Sequence, residues 1–99
     1  MEKYNYTNLS QSIGESMLLR DDAGKEVVLV IAEVNKGVLD SEEWDAFSVI
    51  YNAKASVSIP QGIYTFCHEK IGEVCLFTTP NSATEYETIV TRKRKKINA

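Results

Sequence analysis

The residues of this chain best suited to catalysis are its single histidine, His68, and its two cysteines, Cys67 and Cys75. A cysteine nucleophile needs a base within hydrogen-bonding reach, so a catalytic pair would have to be built from these three side chains. Cys67 and His68 are neighbours in a stretch that reads as a β-strand, where neighbours point to opposite faces. In the pairing that brings it opposite Cys67, Cys75 would also lie on the face that His68 avoids. We therefore expect no catalytic residues and a structural His68 that is bonded to turn backbone.

The two cysteines fall on opposite arms of a predicted β-hairpin. A three-residue connection between the arms would place Cys67 opposite Cys75, and a two-residue connection would not. In a reducing compartment we expect two free thiols, with a cross-strand disulfide as the alternative. Two cysteines this far apart do not form a metal site by themselves, and one histidine excludes a histidine-rich zinc site.

Acidic residues surround the only tryptophan, in the order Asp40, Glu42, Glu43, Trp44 and Asp45. Oxygen-rich loops can hold calcium, but this run lacks the central glycine and the closing glutamate of an EF-hand loop. An aromatic side chain ringed by charges resembles an interface hot spot. These five residues are the candidate partner-binding site, with a solvated acidic loop and a Trp44 buried against the barrel end as structural alternatives.

The C-terminal region carries a basic run, Arg92, Lys93, Arg94, Lys95 and Lys96, within a chain of net charge −3. The remaining six basic residues face fourteen acidic ones, so the rest of the chain carries −8. The run is interpreted as a solvated tail, with contact to nucleic acid, to an acidic partner or to the acidic body as alternatives. Because no aromatic residue interrupts the run, the sequence offers no base-stacking platform there.

Length and composition indicate one ordinary globular domain: 99 residues, of which 43% are hydrophobic and 25% charged. The longest apolar run, residues 27–32, is far shorter than the roughly 20 residues of a membrane-spanning helix. The N-terminus has no apolar signal core, and glycine-rich phosphate motifs are missing. We expect a soluble, cytoplasmic protein without cofactor, metal or membrane contact, with one β domain over residues 1–91 and a basic tail over residues 92–99.

The strongest structural signal is a β-hairpin between Pro60 and Pro80, since proline cannot donate to a strand ladder and marks a strand limit. Its predicted strands, Ile63–His68 and Glu73–Thr79, are joined by a polar turn that ends at Gly72. Tyr64, Phe66, Val74 and Leu76 are expected to line one face.

The rest of the chain predicts one short helix and four more strands. The helix lies between Tyr4 and Gly14, with Asn8 as its cap and with Leu9 and Ile13 on its buried face. Each strand is predicted by apolar residues in alternation or in a continuous run. Alternation predicts Phe47, Val49 and Tyr51 as core residues. In the last strand it places Tyr86 and Val90 on one face and Ile89 on the other. The strands are Glu15–Arg20, a strand from Lys25 whose run Val27–Ala32 should be covered on both faces, Asp45–Tyr51, and Glu85–Arg92.

These elements predict an all-β fold, a six-stranded antiparallel barrel or sandwich that is mostly up-and-down and carries a short N-terminal helix. If the sheet does not close, an open edge would invite another chain.

Short motifs recur along nearly the whole chain: the helix-like start ending at Gly14, the acidic turn before the apolar strand, Ala46-Phe47-Ser48, Gln61-Gly62-Ile63-Tyr64, His68, Gly72-Glu73-Val74 and Phe77 to Pro80. In this order they resemble a family of small uncharacterised all-β bacterial domains, a domain of unknown function. The resemblance implies a compact β domain of unknown activity. Relatives are loosely associated with gene neighbourhoods of phage-tail-collar-like proteins, which implies a structural or assembly role. The basic run and the cysteines are not part of the pattern.

Together these observations predict a non-enzymatic module for protein–protein interaction or assembly, whose partner is another protein or a second copy of the chain. Two alternatives stay open. The first is a nucleic-acid-associated protein that acts through its basic tail. The second is a small-ligand-binding barrel with a pocket around Tyr64 and His68.

Overall fold

Six antiparallel strands close into one barrel in the computed structural model of this chain, which describes residues 3–54 and 57–93. Neighbouring strands pair in the order β1-β2-β3-β6-β5-β4, and β4 pairs with β1 to close the ring. The predicted six-stranded antiparallel fold with a short N-terminal helix is therefore confirmed, and it is a barrel. The elements are α1 (Tyr6–Ser10), β1 (Ser16–Arg20), β2 (Glu26–Lys36), β3 (Trp44–Asn52), β4 (Gly62–His68), β5 (Gly72–Pro80) and β6 (Glu85–Lys93).

The chain follows the barrel up and down except at one crossing. Four of the five connections join adjacent strands, and the β3–β4 connection crosses one end of the barrel. We call this end the crossover end and the opposite end, where α1 lies, the helix end. Two tyrosine hydroxyls fasten the crossing chain, because Tyr86 donates to the Val57 carbonyl at 2.8 Å and Tyr64 donates to the Pro60 carbonyl at 2.6 Å.

Inward side chains fill the barrel. Phe47, Val49 and Tyr51 are buried, as their alternation predicted, and Tyr86 and Val90 are buried on the strand whose Ile89 points outward. The ring of Tyr51 packs against Phe66 with centroids 5.2 Å apart, a tilted aromatic contact. The fully buried large side chains are Tyr4, Tyr51, Tyr86, Phe47, Phe66, Leu9, Met17, Leu19, Leu29, Ile31 and Val49, together with Thr78.

The apolar run Val27–Ala32 is covered on one face only, so the prediction of two covered faces is wrong. Leu29 and Ile31 are fully buried, whereas Val28 is exposed. A closed barrel turns one face of every strand to the outside, so only alternate residues can enter the core. A β-bulge directly after Ile31 shifts the register against β3, and the inward positions resume at Val34, which pairs with Val49.

The helix α1 is a single turn of five residues, shorter than the sequence predicted. Asn5, not Asn8, is its N-cap: the Asn5 Oδ1 accepts from the Asn8 backbone N–H at 2.8 Å. Leu9 is buried, but Ile13 lies beyond the helix and is exposed. Within the described residues, no helix has the length and apolar character that crossing a membrane requires.

Three buried hydroxyl groups meet in the core of the barrel. The Tyr4 hydroxyl lies 2.7 Å from the Tyr51 hydroxyl and 2.6 Å from the Thr88 Oγ1. None of the three residues is exposed to solvent. Burial raises the pKa of Tyr4 to about 12 and raises the pKa of Tyr51 well above its usual value, because a phenolate there would lose its hydration.

This hydroxyl cluster predicts alkaline destabilisation with a defined window. Since both folded-state pKa values exceed the unfolded value of about 10, the native state keeps the phenolic protons longer than the unfolded chain does. Their contribution to the free energy of unfolding is complete below the unfolded pKa and is lost as the pH rises through about 12. Urea unfolding across this range, followed by circular dichroism, measures the loss.

The variant Tyr4→Phe provides the comparison. We expect its free energy of unfolding near neutral pH to be about 1–3 kcal/mol lower than that of the wild type, because two buried hydroxyls lose a partner. Its stability should also fall less steeply with rising pH than that of the wild type. Tyr6→Phe, on α1 beside it, is the matched control and should follow the wild type. A Tyr4→Phe variant with wild-type stability and wild-type pH dependence would contradict this account.

Candidate functional site

The β2–β3 connection and the first residue of β3, Trp44, form a hydrogen-bonded hairpin tip (residues 37–44). The Gly37 N–H donates to the Ala46 carbonyl at 2.8 Å, and the Ser41 N–H donates to the Trp44 carbonyl at 2.9 Å. The Ser41 Oγ also accepts from the backbone N–H of Trp44 at 3.2 Å. This backbone pairing and side-chain capping hold the loop in one defined conformation.

Two of the five residues of the predicted partner site stabilise the fold. The Asp40 Oδ1 accepts from the Ala46 N–H at 3.2 Å, and its second oxygen lies 3.9 Å from the Lys36 Nζ. The Asp45 Oδ2 accepts from the Arg92 Nε at 3.0 Å. Both carboxylates are mostly buried. They shape the hairpin and offer little surface to a partner.

The other three residues of that site are exposed. Glu42 and Glu43 lie on the outside of the hairpin tip. Trp44 is 43% exposed, so it is not buried against the barrel end. Beside them the structure exposes Val38 and Leu39, which the sequence analysis did not single out. Two apolar residues in an otherwise polar loop were the signal that could have found them.

The basic run begins inside the barrel wall. The strand β6 continues to Lys93, two residues beyond the domain boundary drawn at residue 91. Arg92 is tied down, since its Nη2 donates to the Tyr4 carbonyl at 2.9 Å in addition to its ion pair with Asp45. Lys93 is exposed and lies opposite Trp44 on β3. Arg94, Lys95 and Lys96 lie outside the described residues.

His68 has the structural role that the sequence predicted. Its Nδ1 accepts from the backbone N–H groups of Lys70 and Ile71, at 3.1 and 3.3 Å, and so organises the β4–β5 turn. Its Nε2 lies 2.9 Å from the Glu15 Oε1, to which it donates when Nδ1 is the acceptor. His68 is buried at the helix end.

Tyr64 lies towards the crossover end and His68 at the helix end of the same strand, so the structure does not bring together the two side chains of the predicted pocket. Tyr64 borders a cleft of about 210 Å³ at the crossover end, lined also by Leu19, Val27 and Ile59. Asp21 and Lys25 complete its rim. Among the described residues, no group of three or more histidine, cysteine or acidic side chains is placed to hold a metal ion.

The two cysteines are free thiols that do not face each other. Three residues, 69–71, connect β4 and β5, yet the register places Cys67 opposite Glu73 and Thr65 opposite Cys75. The prediction that a three-residue connection pairs the cysteines is therefore wrong, because this connection leaves them offset by two residues. Both occupy outward positions, whereas His68 points into the core.

A second surface lies on the outer wall of the barrel. Ile63 on β4 pairs directly with Phe77 on β5. The ladder between β5 and β6 ends at the pair Thr78–Thr88. Phe77 and Ile89 are the next residue on each strand towards the helix end, and both point outward. We call Ile63, Phe77 and Ile89 the apolar row; they are 69%, 49% and 69% exposed. Sequence alternation placed Ile89 outside, but the row requires the strand order β4-β5-β6.

A family model described as a domain of unknown function, DUF6916, matches residues 4–90. Neither the curated proteins nor the solved structures include a match to this chain.

The contacts of His68 predict a difference between two similar variants. In His68→Asn, the side-chain oxygen takes the place of Nδ1 and can still accept from the turn, whereas in His68→Gln the polar end lies where Nε2 was. We expect His68→Ala and His68→Gln to lose about 1–3 kcal/mol of unfolding free energy, because the turn N–H groups lose their acceptor. His68→Asn should retain most of the stability. Urea unfolding of the three variants measures this, and a His68→Gln variant as stable as the wild type would show that the turn bonds contribute little.

Proposed function

The chain belongs to the DUF6916 family, a domain of unknown function, and from this premise we propose that it is a non-enzymatic module for protein–protein interaction or assembly. The hairpin tip is its contact surface. The partner surface contains an apolar pocket with basic residues at its rim.

The observation that carries this proposal is the combination of exposed apolar side chains with a fixed backbone. Val38, Leu39 and Trp44 all expose large apolar surface at one turn. Burying one such side chain in an interface is worth about 1.5–3 kcal/mol. Because hydrogen bonds already hold the loop in one conformation, binding does not incur the conformational-entropy cost of ordering it.

The charges of the hairpin tip define the chemistry of the partner. Asp40 and Asp45 are neutralised within the fold by Lys36 and Arg92, whereas Glu42 and Glu43 point to solvent. An acidic rim around an apolar centre favours a basic rim on the other surface and increases the rate of association with it. The association of relatives with phage-tail-collar-like proteins, and a bacterial origin, stay predictions that agree with an assembly role.

Contact with nucleic acid is a second candidate function, favoured by one observation. Trp44 is far from the basic run in sequence, but the β3–β6 pairing places it opposite Lys93. An exposed aromatic ring beside basic residues is the combination that stacks and neutralises single-stranded nucleic acid. Against it, Arg92 is engaged by Asp45, and Glu42 and Glu43 lie on the same tip.

A small-ligand-binding barrel has weaker support. Side chains of all six strands fill the interior. The cleft beside Tyr64, at about 210 Å³, is below the roughly 300–1,000 Å³ that is typical of ligand pockets. A neighbouring cleft of about 550 Å³, bordered by Pro60, Pro80 and Tyr86, is large enough but is a shallow depression open to solvent.

Capture experiments on the intact chain and on a chain ending at Lys93 separate the two main candidates. Truncation after Thr91 would be unsuitable, because it removes the ion pair of Arg92 with Asp45. For an interaction module, we expect one protein partner to be retained by both chains at high salt. Nucleic acid retained at low salt, and only by the intact chain, would favour the second candidate, because phosphate contacts weaken steeply with salt.

Variants of the hairpin tip test the surface itself. In Leu39→Ser combined with Val38→Ser, we expect binding of the identified partner to weaken at least about tenfold, with a change in unfolding free energy within about 0.5 kcal/mol. Val28→Ser is the matched control, since Val28 is an exposed apolar residue elsewhere on β2. Calorimetric titration measures binding. Equal affinity of the double variant and the control would contradict the assignment of the tip.

A further inference from the structure

We infer that the apolar row formed by Ile63, Phe77 and Ile89 is a self-association surface that binds the same row of a second copy of this chain. This surface is separate from the hairpin tip, and the inference goes beyond the proposed function.

The three residues of the row lie on the outward faces of three successive strands of the wall. Ile63 and Phe77 are a directly opposed cross-strand pair, and Ile89 lies one residue beyond the last ladder pair of β5 with β6. Paired strands are about 5 Å apart, so Ile63 and Phe77 are direct neighbours, and Ile89 lies beside them where the ladder between β5 and β6 ends. An apolar group of this kind, exposed on a folded domain, marks a contact surface more often than an isolated exposed side chain does.

The outward positions directly beside the row carry little charge. The charged residues next to them are Arg20, opposite Thr65, and Glu73, two residues before Cys75, and these two form an ion pair at 3.2 Å. On β4 and β5 the neighbours two residues away are uncharged, and on β6 the neighbour Thr91 is uncharged as well. Glu87 is the charged neighbour on β6; it is half-buried, and its Oε1 accepts from the Asn81 Nδ2 at 3.1 Å. The uncharged neighbours are Gln61, Thr65, Cys75, Thr79 and Thr91.

Charge is the reason why the occupant is a second copy. In a two-fold symmetric contact, each patch meets itself, so any charge near the axis meets a like charge. The chain carries a net charge of −3, and −8 outside its basic run, and juxtaposed like charges across an interface cost several kcal/mol. An acidic chain can therefore meet its own copy at an uncharged apolar face. A partner with a basic rim would gain little there, whereas Glu42 and Glu43 of the hairpin tip suit it.

The thiol of Cys75 allows this contact to be tested by chemical cross-linking. It lies two residues before Phe77 on the same outward face of β5, and it is an exposed free thiol. In a symmetric contact centred on the row, the two copies of Cys75 come close together.

The test measures the mass of the full-length chain by analytical ultracentrifugation over a range of concentrations. We expect a concentration-dependent dimer for the wild type. Phe77→Glu and Phe77→Lys, each measured alone, should associate at least about tenfold more weakly, because like charges meet at the contact. An equimolar mixture of the two variants should recover the dimer at low salt, a rescue that only a contact of the row with itself produces.

Three further variants complete the test. Val28→Glu puts the same charge on another exposed apolar position and should dimerise like the wild type, as should the Val38→Ser and Leu39→Ser double variant of the hairpin tip. If Phe77→Glu does not fold, Ile89→Glu and Ile89→Lys replace the pair at a more exposed position. In a Cys67→Ser background, a short bismaleimide should link two chains through Cys75. A monomeric wild type, or a Phe77→Glu variant that dimerises like the wild type, would overturn the inference.

Discussion

The hydrogen bonds between Tyr4, Tyr51 and Thr88 are the interaction on which the rest of this barrel depends. They join the first described turn of the chain to the third and the last strands, at residues that are far apart in sequence. Because the three hydroxyls are buried, each requires a hydrogen-bond partner, so the cluster favours one placement of the N-terminal segment. That segment then closes the helix end, where Leu9 is buried and the Tyr4 carbonyl accepts from Arg92.

The closed end explains why the hairpin tip is a surface rather than a flexible loop. Arg92 binds both the Tyr4 carbonyl and Asp45, so one guanidinium connects the N-terminal segment to the base of the hairpin. From Asp45 the chain continues through Trp44 to Ser41, whose hydroxyl caps the turn. The acidic cluster of the sequence is thus divided by role. Asp40 and Asp45 set the shape of the hairpin, whereas Glu42 and Glu43 are exposed to solvent or to a partner.

Sequence reasoning was accurate where one strand decides the outcome by itself. The alternation of Phe47, Val49 and Tyr51 determines which side chains face the core, because the side-chain period of a strand is two. Gly72, with φ of 84°, marked a turn for the same local reason. Features that depend on how strands pair were missed: the offset of the cysteines, the bulge in β2, the tie between Arg92 and Asp45, and the adjacency of Ile63, Phe77 and Ile89. Register and strand order arise from distant contacts, which no local pattern contains.

Barrel closure also determines where this domain can interact. A barrel has no free sheet edge where its strands pair, so over most of this ring side chains must provide recognition. The exception is the seam of β5 with β6, which is paired only at Thr78–Pro80 and Tyr86–Thr88. Of the eight large apolar side chains that are exposed among the described residues, six lie in two separate places, the hairpin tip with its acidic rim and the apolar row on the wall. Two surfaces of different chemistry can bind different partners at the same time. A chain that binds its own copy through one surface and another protein through the other has the two independent contacts that an assembly component needs.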